Sequence, residues 1–356
     1  MSDLLTDEVV LDLTDVSVTY PRGFGKSPFR AVSGVSMTVR RGETVSIVGE
    51  SGSGKSTIGS AILGLQPVAE GTVVLKGQDI SHATAKQRRA LRTSLQAVFQ
   101  DPFSSLDPSQ TVGQIVGEPL SVARPELSAA ERSERVRAIL GRVGIAPAAA
   151  SKFPAEFSGG QRQRIAIARA LVLEPEIVVC DEAVSALDVS VQAQVLNLLE
   201  ELQSERGTSY VFISHNMAVV RHISDRVLVL YRGQVMEEGP ADLVCDRPAH
   251  PYTRSLLASV PVPDVAAQRA RREARVAAST RSGIEPKDGV GCPFAPRCPY
   301  ARPECVAATP PLVPLADGRR AACIRLADIP AADEIPALEV TTAAAAWLPT
   351  DESGAA

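Results

Sequence analysis

The 356-residue sequence has no long apolar run. No stretch approaches the roughly 18 to 20 uninterrupted apolar residues of a membrane-crossing helix, and the most apolar helical stretch, Ile165 to Leu173, is broken by Arg169. Met1 to Val10 carries acids where a secretory leader carries bases, so a soluble, cytoplasmic chain is expected, with any membrane role coming through a partner. A basic excess is also missing. The 37 Lys and Arg stand against 41 Asp and Glu, a net charge of −4, which is unlike the balance of a nucleic-acid-binding domain, so no nucleic-acid partner is expected. No internal repeat is visible, which excludes a tandem architecture. Cysteine is sparse through most of the chain, where Cys180 and Cys245 stand alone.

What is present is enough apolar sequence for a large core, 45% of residues, in a chain long enough for a main domain and an extension. Four apolar β-type runs end in polar residues. Val45 to Val48 leads into a glycine loop, Ala97 to Phe99 into Gln100, Ile177 to Cys180 into Asp181 and Glu182, and Tyr210 to Ile213 into Ser214 and His215. Short apolar runs alternating with helical patterns predict an α/β domain with a largely parallel, buried sheet. Ligands in such sheets sit beyond the carboxyl ends of the strands, where all four polar groups fall. Between Asp101 and Phe157, Pro102, Pro108, Pro119, Pro125 and Pro147 punctuate amphipathic stretches such as Ala129 to Val143, which predicts an inserted helical subdomain. The expected organisation is a main domain over 1–245 with the helical insert at about 101–160, an extension over 246–330, and a poorly ordered tail over 331–356. The charged stretch Asp264 to Ala277 is compatible with a helix.

Gly49-Glu50-Ser51-Gly52-Ser53-Gly54-Lys55-Ser56 fills every fixed position of the phosphate-loop pattern. Its glycines let backbone N–H groups converge on phosphate oxygens, and the helix starting near Lys55 turns its positive dipole end toward the same anion. Lys55 is placed for the β- and γ-phosphates of ATP, Ser56 for Mg²⁺ and Thr57 for the α-phosphate. Strand before and helix after, with Ile58, Ile62 and Leu63 on the buried face, separate this loop from an ordinary glycine turn.

An Asp-Glu pair alone reads as a solvated strand end. Asp181 and Glu182 follow a buried strand in a chain that also has a phosphate loop, so Asp181 is expected to hold Mg²⁺ through water and Glu182 to orient or deprotonate the attacking water. Ser158, Gly159, Gly160 and Gln161 open a helix predicted over Arg162 to Leu173, with Ser158 as N-cap. One nucleotide does not need two phosphate-binding helix ends. This second end therefore points to a γ-phosphate held by another subunit.

Together these motifs resemble the ATP-binding cassette (ABC) family over about residues 8–245. The resemblance implies a P-loop NTPase fold of the ABC nucleotide-binding type, with an inserted helical subdomain and a C-terminal cysteine-containing extension. It makes Gln100 the glutamine-loop residue at the Mg²⁺, Ser158 to Gln161 the signature, and Asp188, in Ser185-Ala186-Leu187-Asp188, part of a loop lining the dimer interface. His215 becomes the switch histidine at the γ-phosphate and Tyr20 the aromatic that stacks on adenine. Phe157 stands where the family has Leu. Val98 to Pro108, Gly117 to Leu120, His250-Pro251-Tyr252-Thr253-Arg254 and Cys292 to Pro299 resemble the dipeptide and oligopeptide importer ATPases. Arg22 to Phe29 and Glu118 to Leu120 are closer to their second (F-type) ATPase than to the D-type. Nickel and glutathione importers are built alike. The resemblance implies a second ATPase subunit, two membrane permeases, an extracytoplasmic solute-binding protein and a place at the cytoplasmic face of the membrane. A soluble cassette acting on ribosomes or DNA is disfavoured, because neither a second cassette nor a long coiled-coil insert is present.

Cys292, Cys298, Cys305 and Cys323 cluster within 32 residues. Four thiolates can bind an iron–sulfur cluster or zinc. Zinc ligands are typically paired two to four residues apart, and gaps of five, six and seventeen residues fit that poorly. The importer ATPases that the chain resembles can carry a four-iron, four-sulfur (4Fe–4S) cluster on such a spacing. Zinc and unliganded or disulfide-linked thiols remain alternatives, and the role expected is a staple for an extension with little apolar surface.

Overall fold

The computed structural model describes residues 7–23, 27–101, 105–185, 187–259, 282–287 and 289–330. The charged stretch 264–277, compatible with a helix, and the tail over 331–356 lie outside the described residues, as do Pro102 to Ser104 and Ala186. In chain order the elements begin with β1 (Val9–Tyr20), β2 (Phe29–Arg40), β3 (Thr44–Val48), α1 (Lys55–Ile62), β4 (Glu70–Leu75), β5 (Gln78–Asp79), α2 (Ala85–Leu91), β6 (Leu95–Val98), α3 (Val112–Ala123), α4 (Ala129–Arg142) and α5 (Gly159–Leu171). They continue with β7 (Ile177–Asp181), α6 (Val189–Arg206), β8 (Ser209–Ser214), α7 (Met217–Ile223), β9 (Arg226–Tyr231), β10 (Gln234–Pro240), α8 (Ala241–Asp246), α9 (Pro251–Ala258), β11 (Val313–Pro314) and β12 (Arg320–Ala321). Among the described residues no helix is long and apolar enough to cross a membrane.

Two compact units make up the chain, each drawn from three stretches. The first comprises the described residues of 1–18, 36–44 and 56–213. Its parallel strands β6, β7 and β8 pair in register, Leu95 with Ile177 and Ile177 with Ser209. The interior residues of β7 and β8 are buried throughout, which is why they read as unbroken apolar runs rather than alternating ones. Helices α3, α4 and α5 start alike, with capping boxes Thr111/Gln114, Ser128/Glu131 and Ser158/Gln161. Each box satisfies two amides that the first helical turn leaves unpaired. Pro119 stands inside α3, which still buries Val112, Ile115, Val116 and Leu120 against α4 and α5. Within the stretch read as a helical insert, α3 and α4 are followed by short 3-10 turns at Pro147–Ser151 and Pro154–Glu156.

The second unit comprises the described residues of 19–35, 45–55 and 214–356. Here β3 runs parallel to β9, and β9, β10, β12 and β11 continue antiparallel. The β9–β10 turn takes Arg232 and Gly233 through φ of 47° and 80°, the paired positive values of a two-residue hairpin turn. The boundary expected at 245/246 falls inside α8. Cys245 shares one apolar core with Val48, Tyr231, Tyr252 and Phe294, and with Cys292, Cys298 and Cys305. The extension therefore differs from the expectation of little apolar surface. Phe294 and Ala295 are each only 1% exposed, so apolar burial helps to hold this segment.

Candidate functional site

In the second unit β3 delivers the chain into the loop 49–55. Gly49 has φ +155°, and a Cβ there would stand 2.1 Å from the Leu230 carbonyl oxygen. Gly54 has φ +105°, and its Cβ would stand 2.7 Å from the Ala31 oxygen. Neither position admits a side chain without displacing backbone, so the loop closes on β9 and β2. Gly233 N–H donates to the Ser53 oxygen at 2.8 Å, tying the loop to the β9–β10 turn. Lys55, 6% exposed, folds over the loop and donates from Nζ to the carbonyls of Gly49 and Glu50, both at 2.9 Å. Among the described residues no hydrogen-bond partner meets the buried Ser53 Oγ, while Ser51 and Gly52 face solvent. His215 is exposed one residue beyond β8, and Asn216 beside it caps α7. Tyr20 is half-buried at the end of β1.

The first unit carries the other half of the predicted residues. Ser56 Oγ lies 3.1 Å from Asp181 Oδ1, and Gln100 Nε2 donates to Glu182 Oε2 at 2.8 Å. Both contacts gather at the end of β7, and the parallel register of β6 and β7 brings Gln100 alongside Glu182, while Ser56 comes from the first turn of α1. Glu182 keeps its N–H on the ladder, bonding the Ile213 oxygen at 2.9 Å, and then turns the chain with φ +49°. A left-handed non-glycine residue there stores strain at a site where direction matters. Ser158 caps α5, accepting from Gln161 N–H at 3.3 Å. The helix predicted from Arg162 begins three residues earlier, at Gly159, because the cap admits both glycines into the first turn. Gly160 approaches Leu187, to which a Cβ would come within 3.4 Å. Asp188 is used as the N-cap of α6, accepting from Val191 N–H at 3.0 Å, and Thr57 is half-buried in the first turn of α1.

Sequence reasoning missed three supports. Buried Gln163 donates to the Phe99 oxygen at 3.3 Å, fastening α5 to the segment next to Gln100. Tyr252 Oη accepts from Glu50 N–H at 2.8 Å, and Arg297 pairs with the Glu50 carboxylate through two 2.8 Å bonds. The His-Pro-Tyr text marks Tyr252 as notable, but nothing in the linear sequence links Arg297 to the phosphate loop.

Cys292, Cys298, Cys305 and Cys323 line a common cavity with His250. Burial raises the thiols of Cys292 and Cys298 to about 11 and about 12, because a thiolate held away from water loses its solvation. Among the described residues no three His, Cys, Asp or Glu side chains are grouped so as to hold a metal ion, which departs from the expected four-thiolate set. Cys323 Sγ instead accepts from Arg325 N–H at 3.3 Å. Lone Cys180 and Cys245 are each pushed up to about 12 by burial, which leaves them inert.

The ABC transporter family profile matches residues 32–185, and that of the oligopeptide/dipeptide transporter C-terminal region matches 236–305. The oligopeptide transport ATP-binding protein OppF of Salmonella typhimurium is 46% identical over 312 residues, 86% of this chain and 93% of that protein. AppF of Bacillus subtilis, also an oligopeptide transport ATP-binding protein, is 46% identical over 322 residues, 89% and 97%. Among solved structures, a dimeric ATP-binding cassette in a post-hydrolysis state with ADP and Pi aligns with a TM-score of 0.61 and 32% identity, covering 65% of this chain and 98% of that one. Relatives of this similarity, aligned along nearly their whole length, leave one assignment: this chain belongs to the ABC transporter ATPases, in the group with an oligopeptide/dipeptide transporter C-terminal region.

Proposed function

We propose that the chain is one of two ATPase subunits that power an oligopeptide importer from the cytoplasmic face of the membrane, in the F-type position. The observation that carries the catalytic part is the pair of contacts Ser56–Asp181 and Gln100–Glu182, which meet on consecutive residues at the end of β7. Two hard oxygen donors 3.1 Å apart fit Mg²⁺. Ser56, Gln100 and, through water, Asp181 would hold that ion, which when bound neutralises phosphate charge. Glu182, steered by Gln100, orients and deprotonates the attacking water. Lys55 and the amides of Gly49 to Ser56 bind the β- and γ-phosphates, with Thr57 at the α-phosphate, Tyr20 against adenine and His215 at the γ-phosphate. The signature Ser158, Gly159, Gly160 and Gln161, with Asp188 nearby in the first unit, serves the nucleotide of a partner cassette, since its helix end has no second nucleotide to meet in its own chain.

The partners proposed are a second cassette, two permeases and, indirectly, a solute-binding protein. The oligopeptide cargo is supported by the names of the relatives and by the match over 236–305. The four thiols on one cavity support a 4Fe–4S cluster held by Cys292, Cys298, Cys305 and Cys323, with zinc as the alternative, provided the side chains close on it. Such a cluster would be a structural staple. The test is ATP-driven uptake of labelled oligopeptides by the full complex in vesicles, with iron, sulfide and zinc assayed in anaerobically purified protein. Uptake of nickel or glutathione in place of peptides overturns the cargo, and protein with neither iron nor zinc overturns the metal.

A further inference from the structure

Glu50 occupies a variable position of the phosphate loop, where the pattern asks for no carboxylate. Its side chain and amide are nonetheless held by residues more than 200 positions away. Arg297 Nη1 and Nη2 grip Oε2 and Oε1, each at 2.8 Å, in the parallel fork that gives guanidinium–carboxylate pairs their directionality. On the backbone side, Glu50 N–H donates to Tyr252 Oη at 2.8 Å while the Glu50 carbonyl accepts from Lys55 Nζ at 2.9 Å. Rotating either peptide plane that flanks Glu50 would thus disturb an anchor of Lys55 or the bond to Tyr252.

The two holding residues are themselves fixed. Tyr252 is fully buried, with its ring centroid 4.5 Å from Tyr231 and 5.4 Å from Phe294. The Arg297 guanidinium lies 5.6 Å from the Phe294 centroid and 5.9 Å from that of Tyr231, within cation–π range. Tight turns, Ala295 N–H to the Cys292 oxygen at 3.1 Å and Arg297 N–H to the Phe294 oxygen at 2.9 Å, set where Arg297 leaves the Cys292–Cys298 segment. All of these residues belong to the second unit.

We propose that Arg297 and Tyr252 are positioning residues for the phosphate loop: they orient the Glu50 peptide under Lys55 and neutralise a carboxylate at the rim of a polyanion site. The inference rests on reading residues 49–56 as the ATP phosphate site. The pair is about two-fifths exposed on each side, so it adds little to global stability. Its loss acts on nucleotide affinity, because an uncompensated Glu50 repels phosphate and frees the loop.

The test measures KM for ATP and kcat in the full complex for Arg297→Ala, Arg297→Lys, Tyr252→Phe and the double variant Glu50→Gln/Arg297→Ala. Lys55→Ala is the control, and thermal melting is followed for each. Arg297→Ala should raise KM about tenfold with kcat within about twofold, and Tyr252→Phe should raise KM about threefold, in keeping with one charge-assisted fork and one neutral bond. Arg297→Lys should recover part of the loss, and removing the carboxylate in the double variant should return KM toward wild type, which a merely structural arginine would not do. KM within twofold of wild type in both Arg297→Ala and Tyr252→Phe overturns the inference, as does a Glu50→Gln/Arg297→Ala protein no better than Arg297→Ala. If Lys55→Ala binds ATP as wild type does, the reading of the site itself fails. If Lys55→Ala loses binding while the Arg297 and Tyr252 variants are silent, only this inference fails.

Discussion

The acidic strand end of the first unit and the phosphate loop of the second are held by different kinds of structure. Asp181 and Glu182 are placed by the register of β6, β7 and β8, in which each strand end lies beside the next. The loop around Glu50 is held by the β9 backbone, the β9–β10 turn, Tyr252 and Arg297, the last of these 247 residues away. Strand register survives a surface substitution. A loop held at separate points does not, so substitutions in the two regions should separate chemistry from affinity.

The largest effect is expected in the first unit. Glu182→Gln removes the general base and should slow single-turnover hydrolysis by at least about a hundredfold while ATP affinity is kept. Near-wild-type turnover in this variant would show that strand-end placement does not make Glu182 catalytic. In the second unit Gly49→Ala should instead lose ATP binding, since its Cβ would lie 2.1 Å from the Leu230 oxygen, and equilibrium binding of a labelled nucleotide reads this. If Gly49→Ala binds normally and slows only turnover, the contrast between the units disappears.

The smallest effect concerns stability. Burial lowers His250 from 6.5 to about 3, and its Nδ1 accepts from Tyr252 N–H at 3.0 Å as the cap of α9. The unfolded chain takes up this proton below pH 6.5 while the folded chain stays neutral. The contribution is therefore fully present above that pH and is lost as pH falls toward 3, by at most roughly 5 kcal/mol. Asn at position 250 preserves a cap acceptor and does not titrate. Denaturant melts of His250→Asn between pH 7 and 4.5 should show a flatter acid loss than wild type, and an unchanged slope would rule His250 out as the titrating group.

Much of the site was legible because its residues are neighbours in sequence or stand at strand ends. The glycine spacing of 49–56 declares the loop, and four residues of apolar run announce each of Asp181 and His215. The capping boxes at Thr111, Ser128 and Ser158 are readable as Thr or Ser followed three positions later by Gln or Glu. The start of α5 was placed too late because glycine is a poor helix former in isolation, and the Ser158 cap overrides that preference. The extension was misjudged for the opposite reason. One Phe among prolines and cysteines carries almost no periodic signal, yet Phe294 is buried by aromatic partners that come from β9 and α9.

By itself the sequence determined the α/β alternation, the phosphate loop, the acidic strand end and the family, because each rests on local pattern or on residues in a set order. Tertiary structure alone decided that Asp188 spends an oxygen on the α6 cap, that the four cysteines of the extension line one cavity together with His250, and that Arg297 meets Glu50. Those outcomes depend on which side chains the packing of distant segments brings within hydrogen-bond reach. That distance is set by burial and strand register across the whole unit, and no spacing along the chain encodes it.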